Sequence, residues 1–130
     1  MMRCAGLAAL LLAGPAAAET VDVPSGQPVE LAEVIREAHG PKGVTLRFRF
    51  VAPRIAGGED KLPFAEVAAD MDFLCSGYAL SHLPAPGPRP DRIIISLAAA
   101  PVEFGDIRPE ITQFFEAYEI DGDACIWEGI

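Results

Sequence analysis

The stretch VTLRFRFV, residues 44–51, alternates without a break. Val44, Leu46, Phe48 and Phe50 fall on one side of an extended chain, and Thr45, Arg47, Arg49 and Val51 on the other, because successive side chains of a strand point to opposite faces. This strand divides any sheet it joins into an apolar face and an arginine-bearing face. A second run, IIISL at 93–97, is apolar on both sides, the pattern of a central strand. Near the end, 111–120 and 124–128 read as two strands joined at Asp121-Gly122, a dipeptide that tolerates the positive φ of a tight hairpin.

Helical spacing occurs twice. Leu31, Val34, Ile35 and Ala38 recur at i, i+3, i+4 and i+7 with Gly40-Pro41 as a stop, which predicts a short helix over 30–38. Phe64, Val67, Ala68, Met71, Leu74, Cys75 and Tyr78 form a longer stripe, with Pro63 tolerated in the first turn. Val21 to Val23 fits a short edge strand before the Pro24-Ser25-Gly26 turn, and the alternating prolines of 83–91 make a stiff extended connector. The expected order is α-β-α-β-β-β. It describes an α+β domain with a mixed or mostly antiparallel sheet of about four strands, one helix crossing a face, and a second short helix.

Residues 1–18 read as a cleaved signal peptide, with Arg3, an apolar run from Ala5 to Leu12 and Ala16-Ala17-Ala18 before the cut, leaving 19–130 as one domain. The run is well short of the roughly 20 residues that span a bilayer, so no membrane span is expected after cleavage. Export carries away Cys4 and leaves Cys75 and Cys125 in an oxidising space, where a pair becomes a disulfide. That bond would staple the second helix to the last strand, turning Cys125 and Trp127 toward the helix and Ile126 away from it. The chain carries a net charge of −9, and loss of Arg3 deepens it by one. An acidic field repels phosphate backbones, so nucleic acid is not an expected partner.

Motifs for chemistry are absent. Glu119, Asp121 and Asp123 fail the calcium-loop spacing, because Ala124 stands where glycine is required. No serine sits in a nucleophile elbow, and no glycine-rich turn suits a nucleotide. His39 and His82 have no local partner at ligand or triad spacing and read as solvated loop residues. No catalytic, metal or cofactor residue is assigned.

The arginine face is more informative. With Phe48 and Phe50 in the core, Arg47 and Arg49 share the opposite side of the sheet with Ile126 and Phe115. On one reading the arginines pair across strands with Glu116, Glu119 or Glu128, while the first helix covers the apolar residues. On the other, Arg47, Arg49, Phe115 and Ile126 form a candidate partner surface, since arginines and aromatic rings concentrate at interface hot spots.

Three blocks, VDVPSGQP at 21–28, TLRFRFVAP at 45–53 and QFFEAYEIDGDACIW at 113–127, together with IIISL and Leu74-Cys75, resemble a small exported bacterial family of unknown function. The resemblance spans nearly all of the mature chain and brings no functional residue with it. The function expected is a non-enzymatic periplasmic or secreted module that binds an envelope protein or a small ligand. The alternative is a small envelope hydrolase built on carboxylates and a histidine.

Overall fold

The alternating stretch lies third in a sheet of six strands. A computed structural model describes residues 19–40, 43–59, 61–84 and 87–129. Its elements are β1 (Glu19–Thr20), β2 (Glu30–Gly40), β3 (Gly43–Val51), α1 (Phe64–Phe73), β4 (Arg92–Ala98), β5 (Gln113–Asp121) and β6 (Ala124–Trp127). The strands stand side by side in chain order, and every neighbouring pair is antiparallel except β3 and β4. That pair runs parallel because the chain between them crosses one face as α1, and a parallel pair needs such a crossover. The leader expected over 1–18, with Cys4, lies outside the described residues.

The core forms where the two sequence patterns meet. Leu46, Phe48 and Phe50 of β3 lie opposite Ile93, Ile95 and Leu97 of β4, and all six are buried. Tyr118 of β5 extends the layer, and Val67, Met71, Leu74 and Cys75 descend on it from the helix side. Each fully buried chain of this size contributes about 2 kcal/mol relative to exposure. After α1 the backbone widens into a π turn, Leu74–Tyr78, and tightens into a 3₁₀ turn, Ala79–Ser81. Cys75 and Cys125 are disulfide-bonded with their Cα atoms 6.1 Å apart, so the helical segment is stapled to β6.

Among the described residues, six strands and one α-helix replace the expected four strands and two helices. The helix expected over 30–38 is strand β2. A register shift between Leu31 and Glu33 explains the misleading period. Leu31 lies opposite Phe50 and Val34 opposite Phe48, so residues three apart on β2 meet residues two apart on β3. One extra residue in a bulge thus turns a period of two into an apparent helical spacing. The first strand is Glu19–Thr20 rather than Val21–Val23, whose valines enter the core as the chain turns. His39 falls within β2 rather than in a loop, and its side chain lies outside the described residues. The hairpin turn is Gly122-Asp123, one residue later than expected, with Gly122 at φ +63° and Asp121 opposite Ala124.

A polar tie holds the first segment to the helix. Val21 N–H donates to Val29 O, and Gly26, at φ +82°, donates to Val23 O. The turn this closes points Ser25 and Gln27 at the Asp70 carboxylate on the buried side of α1. Ser25 N–H reaches Oδ1 at 2.9 Å, while Ser25 Oγ and Gln27 Nε2 reach Oδ2 at 2.6 and 2.8 Å.

Candidate functional site

Strand alternation puts Thr45, Arg47 and Arg49 of β3, Ser96 of β4 and Phe115 of β5 on the sheet face away from α1. Arg47 and Phe115 come together there, with the guanidinium carbon 6.0 Å from the ring centroid. Ile126 is on the same face but does not join them. It lies opposite Glu119, four residues along β5 from Phe115, or about 13 Å at strand rise.

The carboxylates that neutralise the arginines come from β2, not from β5 or β6. Arg49 pairs with Glu33, directly opposite in register, and Arg47 Nε lies 2.5 Å from Glu37 Oε2. Glu128 instead receives a forked pair from Arg92, at 2.9 and 2.6 Å. The cover over this face is also not a helix. The loop between β4 and β5, closed by Ala99 N–H to Thr112 O, folds back so that Arg49 Nη2 donates to Val102 O at 2.7 Å. Phe104 then lies over both guanidinium groups, at 5.4 Å from Arg47 and 5.5 Å from Arg49. Arg49 is only 9% exposed, so its charge is spent inside the molecule. The two arginines act as the core of a ring-and-carboxylate stack, in which each cation is shared by a ring face and an acid.

On the opposite face a second set of rings stands open. Phe64 meets Phe114 in a T-shaped contact at 5.3 Å, and Trp127 Nε1–H donates to Glu116 Oε1 at 2.6 Å. Trp127 was expected to face the helix and does so, yet it remains 55% exposed. Sequence reasoning assigned it no role, because an aromatic residue on an inward face normally reads as core. Asp72 and Phe104 carry no signal either, because an acid on a helix and a ring in an irregular loop follow no period.

Of the two histidines on which hydrolytic chemistry would depend, His82 is the one whose side chain is described. Its ring stacks on Tyr78 at 4.0 Å, and Nδ1 lies 2.8 Å from Tyr78 O, so this nitrogen carries the proton it donates to the carbonyl. Ser81 Oγ donates to the same carbonyl at 2.9 Å and is therefore not activated by the histidine. Nε2 stands 3.8 Å from Glu19 Oε2 at the open surface. A base, a nucleophile and an orienting acid are near one another here, but their protons run the wrong way for acyl transfer.

Both tyrosines of the chain are held neutral. Burial, then the hydrogen bond from its hydroxyl to Glu19 at 2.7 Å, pushes the Tyr78 phenol up to about 12. Burial and the 2.8 Å bond to Asp72 push Tyr118 up further. A phenol whose folded pKa exceeds its unfolded value of about 10 keeps its contribution below that value and loses it as pH rises toward the folded one. Stability should therefore fall from about pH 10 upward. A near-ultraviolet titration should show almost no tyrosinate in the folded protein at about pH 10, where a free tyrosine is half ionised.

The architecture is that of a small mixed-sheet domain with a crossover helix and one disulfide, without an assembled catalytic array or a metal-binding cluster among the described residues. No described helix is long and apolar enough to cross a membrane. The chain belongs to the family of unknown function DUF6497, whose model matches residues 7–130, nearly the whole chain. No curated protein and no solved structure matches it.

Proposed function

We propose that this protein is an exported, non-enzymatic binding module of the cell envelope that takes a segment of a partner polypeptide along the open half of β5. The observation that carries this reading is the gathering of exposed rings at that margin. Of seven large apolar side chains exposed among the described residues, Phe64, Phe104, Phe115, Ile126 and Trp127 lie on or against β5 and β6. Such clustering on a small domain is a mark of an interaction surface.

The backbone supports the same margin. β4 ladders β5 along its whole length, whereas β6 covers only Tyr118–Asp121, followed by Glu128 N–H to Ala117 O. The alternation that aims Ala117 O at Glu128 aims the N–H and C=O of Gln113 and Phe115 the same way. An added strand would satisfy those groups, and the flanking rings would select its side chains. β2 has a longer uncovered edge, but two register shifts and the charges of Glu33, Arg36 and Glu37 guard it against pairing. Export is supported by the leader pattern of residues 1–18 and by the paired cysteines.

A photo-crosslinking residue placed at Phe115 tests the surface in intact cells, with the exposed loop position Glu59 as control. A discrete adduct at Phe115 and none at Glu59 is the expected result. Equal labelling at both, or none at either, overturns the docking margin. A purified extracytoplasmic protein whose mass still includes residues 1–18 overturns the cleaved leader.

A further inference from the structure

Between α1 and the β5–β6 hairpin, Phe64, Ala68, Asp72, Glu116 and Trp127 line a pocket of about 200 Å³. It lies on the helix side of the sheet, opposite the arginine stack. Sites for whole drug-sized ligands start at about 300 Å³, so this one suits a single side-chain head group.

Its parts are fixed before anything enters. The Tyr118 hydroxyl occupies Asp72 Oδ1, and the Trp127 indole N–H occupies Glu116 Oε1. Among the described residues, none donates to Asp72 Oδ2 or Glu116 Oε2, and no basic side chain lines the pocket. Phe64 and Trp127, at 54% and 55% exposure, offer the ring surfaces. Two acids beside two rings make a site for a cation, because the negative ring face and the carboxylates attract the same charge. The molecule shows the filled version of this arrangement on its other face, where Arg47 sits against Glu37, Phe104 and Phe115.

We propose that the pocket receives the guanidinium or ammonium head of an arginine or lysine side chain, a proposal that rests on the partner segment at β5 for its source. The net charge of −9 adds long-range attraction for a basic segment. The distance to the open strand is short, since Glu116 is the residue after Phe115 on β5.

Trp127 is the only tryptophan, so its fluorescence reports on the pocket alone. Nα-acetyl-arginine amide and Nα-acetyl-lysine amide should change its emission saturably, and Nα-acetyl-glutamine amide should not. The double variant Asp72→Asn, Glu116→Gln keeps an acceptor for Tyr118 and for the indole but removes both charges, and should weaken binding by about tenfold or more. Added salt should weaken it as well. The proposal is overturned if neither basic probe gives a saturable change, or if glutamine amide matches them. It is also overturned if the folded double variant binds as well as the parent. If that variant does not fold, the probe comparison on the unaltered protein decides. Tighter binding of tetramethylammonium than of either amino-acid probe assigns the pocket to a free quaternary cation and overturns the polypeptide source. Probe binding without crosslinks at Phe115 removes the strand-docking reading and leaves the cation pocket; crosslinks without probe binding remove the pocket alone.

Discussion

Replacing Cys75 and Cys125 together by alanine is expected to lower the melting temperature by on the order of 15 °C, the equivalent of about 4 kcal/mol in a domain of this size. The two cysteines are 50 residues apart, and closing a loop of that length removes much of the freedom of the unfolded chain. Domains typically have a total stability of about 5 to 15 kcal/mol, so the bond accounts for a large share. The native side of the balance points the same way. β6 has four residues and is held to the helical segment by the disulfide and by Cys125 N–H to Ser76 Oγ at 3.3 Å. Alanine is the right probe at Cys75, because that side chain is wholly buried and a serine hydroxyl there would add its own desolvation cost. Calorimetry on the double variant, and on the parent with and without reductant, measures the effect. A shift of only a few degrees would show that packing alone holds the hairpin. The consequence reaches the pocket, since Trp127 is two residues beyond Cys125 and its emission should become that of a freer indole once the staple is gone.

The sequence disclosed those elements in which a single period governed the whole run. β3 alternates from end to end, and its two faces are the two faces of the sheet. β4, apolar on both sides, is central as its pattern implies. β2 carries a helical spacing because a bulge between Leu31 and Glu33 mixes the two periods, and the consequences spread. A helix over 30–38 would remove Glu33 and Glu37 as strand neighbours of Arg49 and Arg47 and leave only the acids of β5 and β6 to pair with them. The cover over the arginines lay in 99–112, a loop whose side chains follow no period at all. The helix-side pocket was hidden for a different reason. Its residues come from α1, β5 and β6, and only the crossover and the β5–β6 register bring Asp72, Glu116 and Trp127 together.

Asp70 is the clearest case of a residue whose meaning is tertiary, and its removal has the second large effect. It lies three residues beyond Val67 and four before Leu74, on the buried stripe of α1, where an acid contradicts the pattern. The structure resolves the contradiction: at 0% exposure, its two oxygens accept from Ser25 N–H, Ser25 Oγ and Gln27 Nε2. Asp70→Ala leaves three donors without an acceptor, and each buried loss costs about 1 to 3 kcal/mol. Ser25 is half-buried and recovers part of its loss from water, so the expected total is about 3 kcal/mol. Asp70→Asn should cost less, although it sets an NH₂ group against donors. Gln27 Oε1 is buried without a partner, and turning that amide over would let it accept from the new Asn. The expected order of unfolding midpoints in urea is therefore parent, then Asp70→Asn, then Asp70→Ala. A loss below about 1 kcal/mol for Asp70→Ala would mean that residues 21–29 are held by Val21, Val23 and Val29 alone and that the polar tie contributes only specificity.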